Sequence, residues 1–402
     1  MQFGTFEQAI DGQRLRLDRM SESDPALLMP DHDKLKMFLR EKSVPETFAP
    51  YQGVEFVPPD LDDLEVTQEI EAPLRANIAA KTAKARTAFL LSGGIDSTAL
   101  VVLATELMND VVCYTAVTGA GSDLDHARKI ARQLNVTLVE VEVPYDERTL
   151  ARHRRTMARS GNLLPLNGNF VGVSAIAEQA RADGFEVLID GTGGGEVYGG
   201  SVAMQGPSWV RAMRDAGQLQ RVEQLERWVG HRQARKICAA ASDAPDFRTQ
   251  QLYMLKTWMP RWTLQLQAIS QTMDIDIHSP MIETNALGYA LNDPEVFFRG
   301  GIPKYQLREI LARRLSSDLA MRRDNQGLRA PIGEFLKQCG GEMRAVVRRN
   351  LHAMPVWPKT YALFRAFNGR GTFIRAYAVA VFLEELPGRR RSARILGGAH
   401  AD

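Results

Sequence analysis

Cysteine is scarce in this sequence, and the few cysteines lie far apart. The 402 residues include only Cys113, Cys238 and Cys339. None of them has the Cys-x-x-Cys spacing of a zinc knuckle, and so low a count argues against a framework of disulfides. A chain of this kind suits a reducing compartment, so we expect a cytoplasmic protein.

The sequence also lacks long uncharged stretches and a strong net charge. No apolar run is long enough to cross a bilayer, and the opening stretch "MQFGTFEQAIDGQRL" has no apolar signal core. Fifty lysines and arginines stand against 48 aspartates and glutamates, which leaves a net charge of +2. Electrostatics therefore predicts neither a membrane nor a nucleic acid as partner.

Composition divides the chain into three segments. Residues 1–65 carry six prolines and the acidic run "DLDDLE", which disfavours long helices and central strands and predicts an irregular arm. Residues 66–388 contain the periodic helices and strands and form the predicted main domain. Residues 389–402, which begin "RRRSAR", are predicted to be a basic C-terminal tail.

Short apolar segments alternate with helical patterns in the first half of the main domain. The segments "TAFLL" (87–91), "DVVCYTAV" (110–117), "VTLVEVEV" (136–143) and "FEVLIDG" (185–191) read as strands. Strands that alternate with helices of this length predict an α/β fold with a parallel sheet covered on both faces. Residues 205–350 read as mostly helical additions.

The stretch "LLSGGIDS" joins the first predicted strand to a helix. Gly93 and Gly94 let the backbone approach a ligand closely, and the start of the helix presents unpaired N–H groups to an anion. Ser92 and Ser97 add hydroxyl donors. Asp96 would repel an anion unless a cation stood between them, which suggests Mg²⁺ bridging to phosphate oxygens. We expect these residues to hold a polyphosphate.

A second glycine loop, "LIDGTGGGEVYGG" (188–200), also follows a predicted strand, so both loops can meet at the carboxyl edge of one sheet. The first loop resembles the PP-loop of ATP pyrophosphatases. The second resembles the glycine-rich element of asparagine synthetases and β-lactam synthetases. The segments "FFRGGIPKYQLREIL" (297–311) and "RRDNQGLRAPIGEFL" (322–336) resemble two later segments of that family. The resemblance covers residues 66–388 and implies the synthetase domain.

This resemblance implies an AMP-forming amide synthetase that uses ATP and Mg²⁺, in specialised metabolism. A small-molecule or peptide carboxylate would attack the α-phosphate, pyrophosphate would leave, and an amine or ammonia would accept the acyl group. Lys304 matches the lysine that contacts the α-phosphate and the developing oxyanion, where a positive charge stabilises the transition state. Leu90, Val117 and Gly191 match the strand ends that form the adenine site.

Two departures from the family pattern support an alternative. Thr192 stands where the family usually has an acidic residue or a tyrosine that orients or deprotonates the amine, and a threonine hydroxyl is not a base near neutral pH. Gly195 replaces an aspartate that faces magnesium, which leaves Asp96 and Glu196 as the metal carboxylates. We keep Thr192, Glu196 and Lys304 as catalytic candidates. The alternative is a catalytically degenerate nucleotide-binding or scaffold subunit that acts with a partner.

The source of nitrogen is open at this stage. The segment before residue 66 is too short for a glutaminase domain, and the first cysteine is Cys113, so we expect no glutamine hydrolysis within this chain. Ammonia, an amine on the substrate, or a separate glutaminase or carrier-protein partner would then be required. A third hypothesis, an RNA-modifying PP-loop enzyme, is disfavoured by the low net charge and the scattered cysteines.

Overall fold

Five parallel strands form the centre of the protein, whose structure is a computed structural model. The strands are β1 (Thr87–Leu90), β2 (Val112–Val117), β3 (Thr137–Glu142), β4 (Val187–Ile189) and β5 (Asp276–His278). They lie in the order β3-β2-β1-β4-β5, and every neighbouring pair is parallel. The predicted α/β class with a parallel sheet is confirmed. Two short strands, β6 (Phe298–Arg299) and β7 (Ile302–Pro303), pair antiparallel elsewhere.

The structure describes residues 30–40, 65–118, 123–199, 202–215, 231–244, 247–292, 294–299, 302–322, 332–354 and 373–385. Within these ranges the α-helices are α1 (His32–Arg40), α2 (Glu71–Thr82), α3 (Ile95–Leu107), α4 (Leu124–Leu134), α5 (Glu147–Ser160), α6 (Gly168–Ala182), α7 (Gly194–Val197), α8 (Val202–Asp215), α9 (His231–Ala239), α10 (Phe247–Met273), α11 (Thr284–Leu287), α12 (Pro294–Phe297), α13 (Tyr305–Ala312), α14 (Ser317–Ala320), α15 (Ile332–Asn350) and α16 (373–385). Short 3₁₀ turns cover Pro280–Ile282 and Gly288–Leu291.

Apolar cores cover both faces of the sheet. Alternate residues of a strand point to opposite faces, so Phe89 of β1 lies in one core and Ala88 in the other. The first core is formed mainly by α2, α3, α4 and α13, and the second by α5, α6, α10, α15 and α16. Because both faces are covered, the central strands β1 and β4 are mostly apolar, whereas the edge strand β3 alternates and exposes Glu140 and Glu142.

The strand order places two loops side by side. The chain runs from β1 outward to β2 and β3, then returns to form β4 on the other side of β1. In open α/β sheets, the crevice beyond the carboxyl ends of the strands at such a reversal is where ligands bind. The loops after β1 and β4 both open into that crevice.

Two elements differ from the sequence-based expectation. The arm at residues 1–65 was predicted to be irregular, but its described part contains α1, whose Leu35 and Phe38 are buried in the second core. The described residues of the region 205–350 are mostly helical, as predicted, but the strands β5, β6 and β7 were not expected, because each is too short to show a period of two. The domain boundaries remain predictions, and residues 389–402 lie outside the described ranges. No helix in the described ranges has both the length and the apolarity needed to span a membrane.

A buried histidine makes the stability of this fold depend on pH. His153 lies in the second core against the rings of Phe170 and Tyr377, with its Nε2 2.9 Å from the carbonyl oxygen of Leu164. Burial lowers its pKa from 6.5 to about 4. As the pH falls from about 6.5 to about 4, His153 becomes protonated in the unfolded chain but stays neutral in the folded protein. The free energy of unfolding therefore decreases over this pH range.

We expect His153→Gln to reduce the loss of stability in acid. Between pH 7 and pH 4.5 the histidine should cost the wild-type protein about 2–3 kcal/mol of unfolding free energy, because each pKa unit corresponds to about 1.4 kcal/mol. Glutamine has no such titration. Urea unfolding at both pH values measures the difference, and equal pH dependence in the two proteins would contradict the assignment.

Candidate active site

A cavity of about 390 Å³ lies at the carboxyl ends of β1, β2 and β4. The predicted site residues that line it are Leu90, Ser92, Gly94, Asp96, Ser97, Gly191, Thr192, Glu196 and Lys304. Residues from three distant parts of the sequence thus meet in one place. Gly93 and Val117 are not among its described lining residues. From β2 the lining takes Thr115 and Ala116 instead.

The backbone explains where Gly93 and Val117 lie. Gly93 has a φ of +81°, which favours glycine, and a Cβ there would lie 2.5 Å from the carbonyl oxygen of Asp123. Its own carbonyl accepts a hydrogen bond from Arg322. Val117 is half-buried, and its carbonyl accepts from the N–H of Val143, next to β3. Gly93 therefore shapes the first loop from behind, and the main chain of Val117 is bonded towards β3.

The loop after β1 is built to receive an anion. Gly94 is the N-cap of α3 and brings no side chain to cap the first N–H groups of that helix. These groups and the helix dipole favour a negatively charged ligand. The hydroxyls of Ser92 and Ser97 are 3.0 Å apart, and the N–H of Ser92 donates to Ser97 at 3.2 Å. The two serines thereby fix each other beside the helix terminus.

The two glycine loops touch, and glycine makes the contact possible. A Cβ on Gly191 would lie 2.8 Å from the backbone nitrogen of Ser97. A Cβ on Gly194 would collide with the carboxylate carbon of Asp96. The second loop therefore approaches the first more closely than any larger residue would permit.

We expect Gly194→Ala to destabilise the protein by about 1–3 kcal/mol, the usual cost of overpacking. The added methyl group must displace the Asp96 carboxylate. Gly341→Ala is a matched control, because Gly341 lies exposed on α15 with no atom near its Cβ position. That change should stabilise the protein by about 0.5–1 kcal/mol through helix propensity. Chemical denaturation measures both, and effects of the same sign would contradict the close approach.

Asp96 and Lys304 form an ion pair at the floor of the cavity. The Lys304 Nζ donates to both carboxylate oxygens of Asp96, at 2.7 and 2.6 Å. The side chains are 25% and 11% exposed, respectively. Lys304 has a φ of +55°, an uncommon backbone conformation for a residue with a side chain, at the turn between β7 and α13. This turn brings the ammonium group to the start of α3, about two hundred residues earlier in the sequence.

Asp190 is a site residue that the sequence interpretation missed. It follows β4, lines the cavity and is 5% exposed. Its carboxylate accepts from the Thr192 hydroxyl at 2.6 Å, from the Thr192 N–H at 3.2 Å and from the Ser279 hydroxyl. Burial raises the pKa of Asp190, and these hydrogen bonds partly oppose the rise. The signal was present in the sequence, as an aspartate at the end of a strand beside the threonine.

Glu196 is a deeply buried carboxyl group that lines the cavity. It is 4% exposed on the short helix α7, and burial raises its pKa, while nearby Lys304 opposes the rise. The described residues contain no cluster of three or more His, Cys, Asp or Glu side chains that could hold a metal. Mg²⁺, however, is often held by one or two carboxylates together with phosphate oxygens. Asp96 and Glu196 fit that requirement when a polyphosphate is bound.

The comparison with known families adds to this geometry. Residues 70–393 match the family model described as asparagine synthase, which covers most of the chain. The chain belongs to the asparagine synthase family. Members of this family use ATP and form carbon–nitrogen bonds. Both glycine loops and Lys304 lie inside the matched range.

A named relative is similar over a short segment. The chain is 29% identical over 111 residues to a protein of Methanocaldococcus jannaschii named "Putative asparagine synthetase (glutamine-hydrolyzing) 1". The alignment covers 28% of this chain and 20% of that protein. The asparagine synthase family is thus supported from two directions, but the relative is matched over only a fifth of its length.

Two helices contribute further residues to the lining of the cavity. Helix α6 contributes Asn169, Val173 and Ile176, and helix α10 contributes Trp262, Gln265 and Leu266. Each set repeats every three or four residues, so each forms one face of its helix. The amides of Asn167 and Gln265 join the two helices, with the Asn167 Nδ2 3.3 Å from the Gln265 Oε1. In this asparagine synthase family member, the two helices therefore add only uncharged residues to a cavity that also holds Asp96, Glu196 and Lys304.

Proposed function

We propose that this protein is an AMP-forming amide synthetase. It would adenylate a substrate carboxylate with ATP, release pyrophosphate and transfer the acyl group to an amine or ammonia. The observation that carries the proposal is the meeting of two glycine loops with Asp96 and Lys304 in one cavity. One loop offers a helix terminus for phosphates, and the other brings a hydroxyl and carboxyl groups within reach of the same space.

The cavity suits a nucleotide in one orientation. Leu90, Ala116 and Val173 form an apolar slot at the ends of β1 and β2, suited to a flat base such as adenine. The N-terminus of α3 lies next to it and suits the β- and γ-phosphates. Lys304 lines the same cavity, where its charge can stabilise the oxygens of the α-phosphate in the transition state.

The metal carboxylates would be Asp96 and Glu196. A bound Mg²⁺ supplies positive charge next to the leaving pyrophosphate. The protein's own contribution is to hold these two carboxyl groups at the junction of α3 and α7. Gly194 and Gly195 line the cavity beside these carboxyl groups, and the absence of a side chain at Gly194 makes room for the Asp96 carboxylate.

Thr192 and Asp190 would act on the amine. The Thr192 hydroxyl donates its hydrogen to Asp190, so its lone pairs can accept a hydrogen bond from an incoming amine. When the amine attacks the acyl carbon, the bond from that carbon to the AMP phosphate oxygen would break and AMP would leave, while the amine proton would pass to the Thr192 oxygen and the Thr192 proton to Asp190. Asp190, two residues before Thr192, would thus act as the general base, a role that a threonine hydroxyl alone cannot fill.

The substrates and partners belong to the proposal as well. We propose a small-molecule or peptide carboxylate as the acyl donor, in specialised metabolism in the cytoplasm. The amine would be ammonia, an amine on the substrate, or nitrogen delivered by a separate glutaminase or carrier-protein partner. The degenerate scaffold subunit remains the alternative, since Thr192 and Gly195 depart from the family pattern.

ATP–pyrophosphate exchange against a panel of carboxylic acids tests the function. We expect exchange with at least one acid, and a loss of about 10²–10³-fold in Asp96→Asn, the size of effect seen when one transition-state contact is removed. Asp276→Asn is the matched control, because Asp276 pairs with Lys81 at 2.8 Å at the opposite edge of the sheet. ATP binding without exchange or AMP formation, with every acid and partner supplied, would favour the scaffold.

A further inference from the structure

The ion pair on the cavity floor occupies both groups that the reaction requires. Asp96 is the carboxylate best placed for a metal, and Lys304 is the cation best placed for phosphate oxygens. In the structure each is the other's partner, with one short contact to each carboxylate oxygen. A ligand that takes one of these groups alone therefore leaves the other without its present counter-charge, whereas two ligands of opposite charge supply a new partner to each.

Charge decides which ligand can enter alone. Asp96 and Lys304 neutralise each other, so a divalent cation would find its carboxylate already compensated and an ammonium group beside it. A polyphosphate alone would meet Asp96 and Glu196 near its oxygens, which repel it. With both present, the phosphates replace Asp96 as the counter-ion of Lys304, and the cation replaces Lys304 as the partner of Asp96. Every charge then has an opposite neighbour.

The backbone holds the lysine in this place. Lys304 lies in the left-handed region, with a φ of +55°, and its carbonyl accepts from the N–H of Arg308 at 3.1 Å. A residue with a side chain adopts this conformation only where its surroundings enforce it. The side chain is also only 11% exposed, so it cannot simply swing into solvent.

We propose that the Asp96–Lys304 ion pair keeps the metal position closed until a nucleoside triphosphate binds. The inference rests on the proposed function, of which it describes the regulation. Metal and polyphosphate then assist each other's binding by the same factor, as linkage requires. The pair also keeps free divalent cations from occupying the site without substrate.

Binding measurements on the full-length protein test this without turnover. The probes are Mn²⁺, followed by electron paramagnetic resonance, and the α,β-methylene analogue of ATP, followed by calorimetry and corrected for the Mn²⁺–analogue complex in solution. The variant is Lys304→Met, which keeps an unbranched side chain one atom shorter than lysine and removes its charge. Lys81→Met is the matched control, because Lys81 pairs with Asp276 in the same way far from the cavity.

We expect Lys304→Met to bind Mn²⁺ alone at least fivefold more tightly than wild type, because Asp96 is released. The same variant should bind the analogue at least fivefold more weakly. The factor by which Mn²⁺ and the analogue tighten each other's binding should approach one. Lys81→Met should behave as wild type in both titrations. The opposite signs distinguish a closed metal position from simple damage, which would weaken both ligands.

Two results would overturn the proposal. One is Mn²⁺ binding to Lys304→Met that is no tighter than to wild type, or undetectable in both. The other is full mutual assistance in the variant. If the analogue fails to bind wild type even with Mn²⁺, the proposed function fails instead. The Mn²⁺ titration of wild type and Lys304→Met still tests whether the ion pair closes the metal position.

Discussion

Replacing Asp190 by asparagine is expected to slow amide formation by about 10²–10⁴-fold, the usual contribution of a general base. Adenylation should stay within a few-fold of wild type, because Asp190 acts on the amine and not on ATP. Asparagine keeps the size of the side chain, but it cannot take a proton from the Thr192 hydroxyl. ATP–pyrophosphate exchange measures the first step, and amide formation with ammonia measures the whole reaction.

The pH profile gives a second readout for Asp190. Burial raises the pKa of Asp190 above the usual aspartate range, so wild-type amide formation should fall on acidification as this carboxylate becomes protonated. In Asp190→Asn, the rate of amide formation should no longer show this fall on acidification. Asp183→Asn is a matched control, since Asp183 also accepts from a hydroxyl, that of Tyr114 at 2.6 Å, but does not line the cavity. Equal losses in ATP–pyrophosphate exchange and in amide formation would contradict the role of Asp190 as a general base.

Replacing Arg322 by methionine is expected to destabilise the protein by about 3–5 kcal/mol, because it strands a buried charge. The Arg322 guanidinium donates to Asp123 and to the carbonyl of Gly93, each at 2.5 Å. Both charged side chains are only 2% exposed. Without the arginine, the Asp123 carboxylate would remain buried beside the first glycine loop with its counter-charge gone.

A double substitution separates the effect of losing the ion pair from the effect of losing the side-chain packing. Asp123→Asn added to Arg322→Met should recover a large part of the loss, because no buried charge is then left alone. Arg128→Met is the control for an exposed pair with Glu140 and should cost less than about 1 kcal/mol. Urea unfolding of wild type, Arg322→Met, Asp123→Asn and the double variant provides the cycle, and Arg128→Met is measured beside them. A loss of similar size in Arg128→Met and Arg322→Met would show that burial is not the cause.

Local sequence patterns were sufficient to predict four of the five strands of the parallel sheet and the first glycine loop. The strands at β1, β2 and β3 are apolar runs bounded by turns, and "LLSGGIDS" combines close-packing glycines with a helix start, so both signals lie within a few consecutive residues. The same local reasoning overlooked β5. Its three residues become a strand only because β4 lies beside them to accept and donate hydrogen bonds.

The cavity itself shows why the rest of the site was harder to predict. Thr192 was judged by its own hydroxyl, whereas its chemistry depends on Asp190, whose hydrogen bonds to Thr192 and Ser279 exist only in the folded chain. Arg322 was overlooked for the same reason, since Asp123 lies about two hundred residues away in sequence. Contacts between distant segments leave no periodic signal.

By itself, the sequence determined that this protein has a parallel sheet with two glycine loops at its carboxyl edge, because strands, turns and helix starts are encoded in neighbouring residues. Only the tertiary structure decided that Asp96 is held by Lys304, that Asp190 stands behind Thr192, and that Gly93 and Val117 lie outside the described lining. Those outcomes depend on the close approach of segments far apart in the chain, and on the burial that makes each unpaired charge costly.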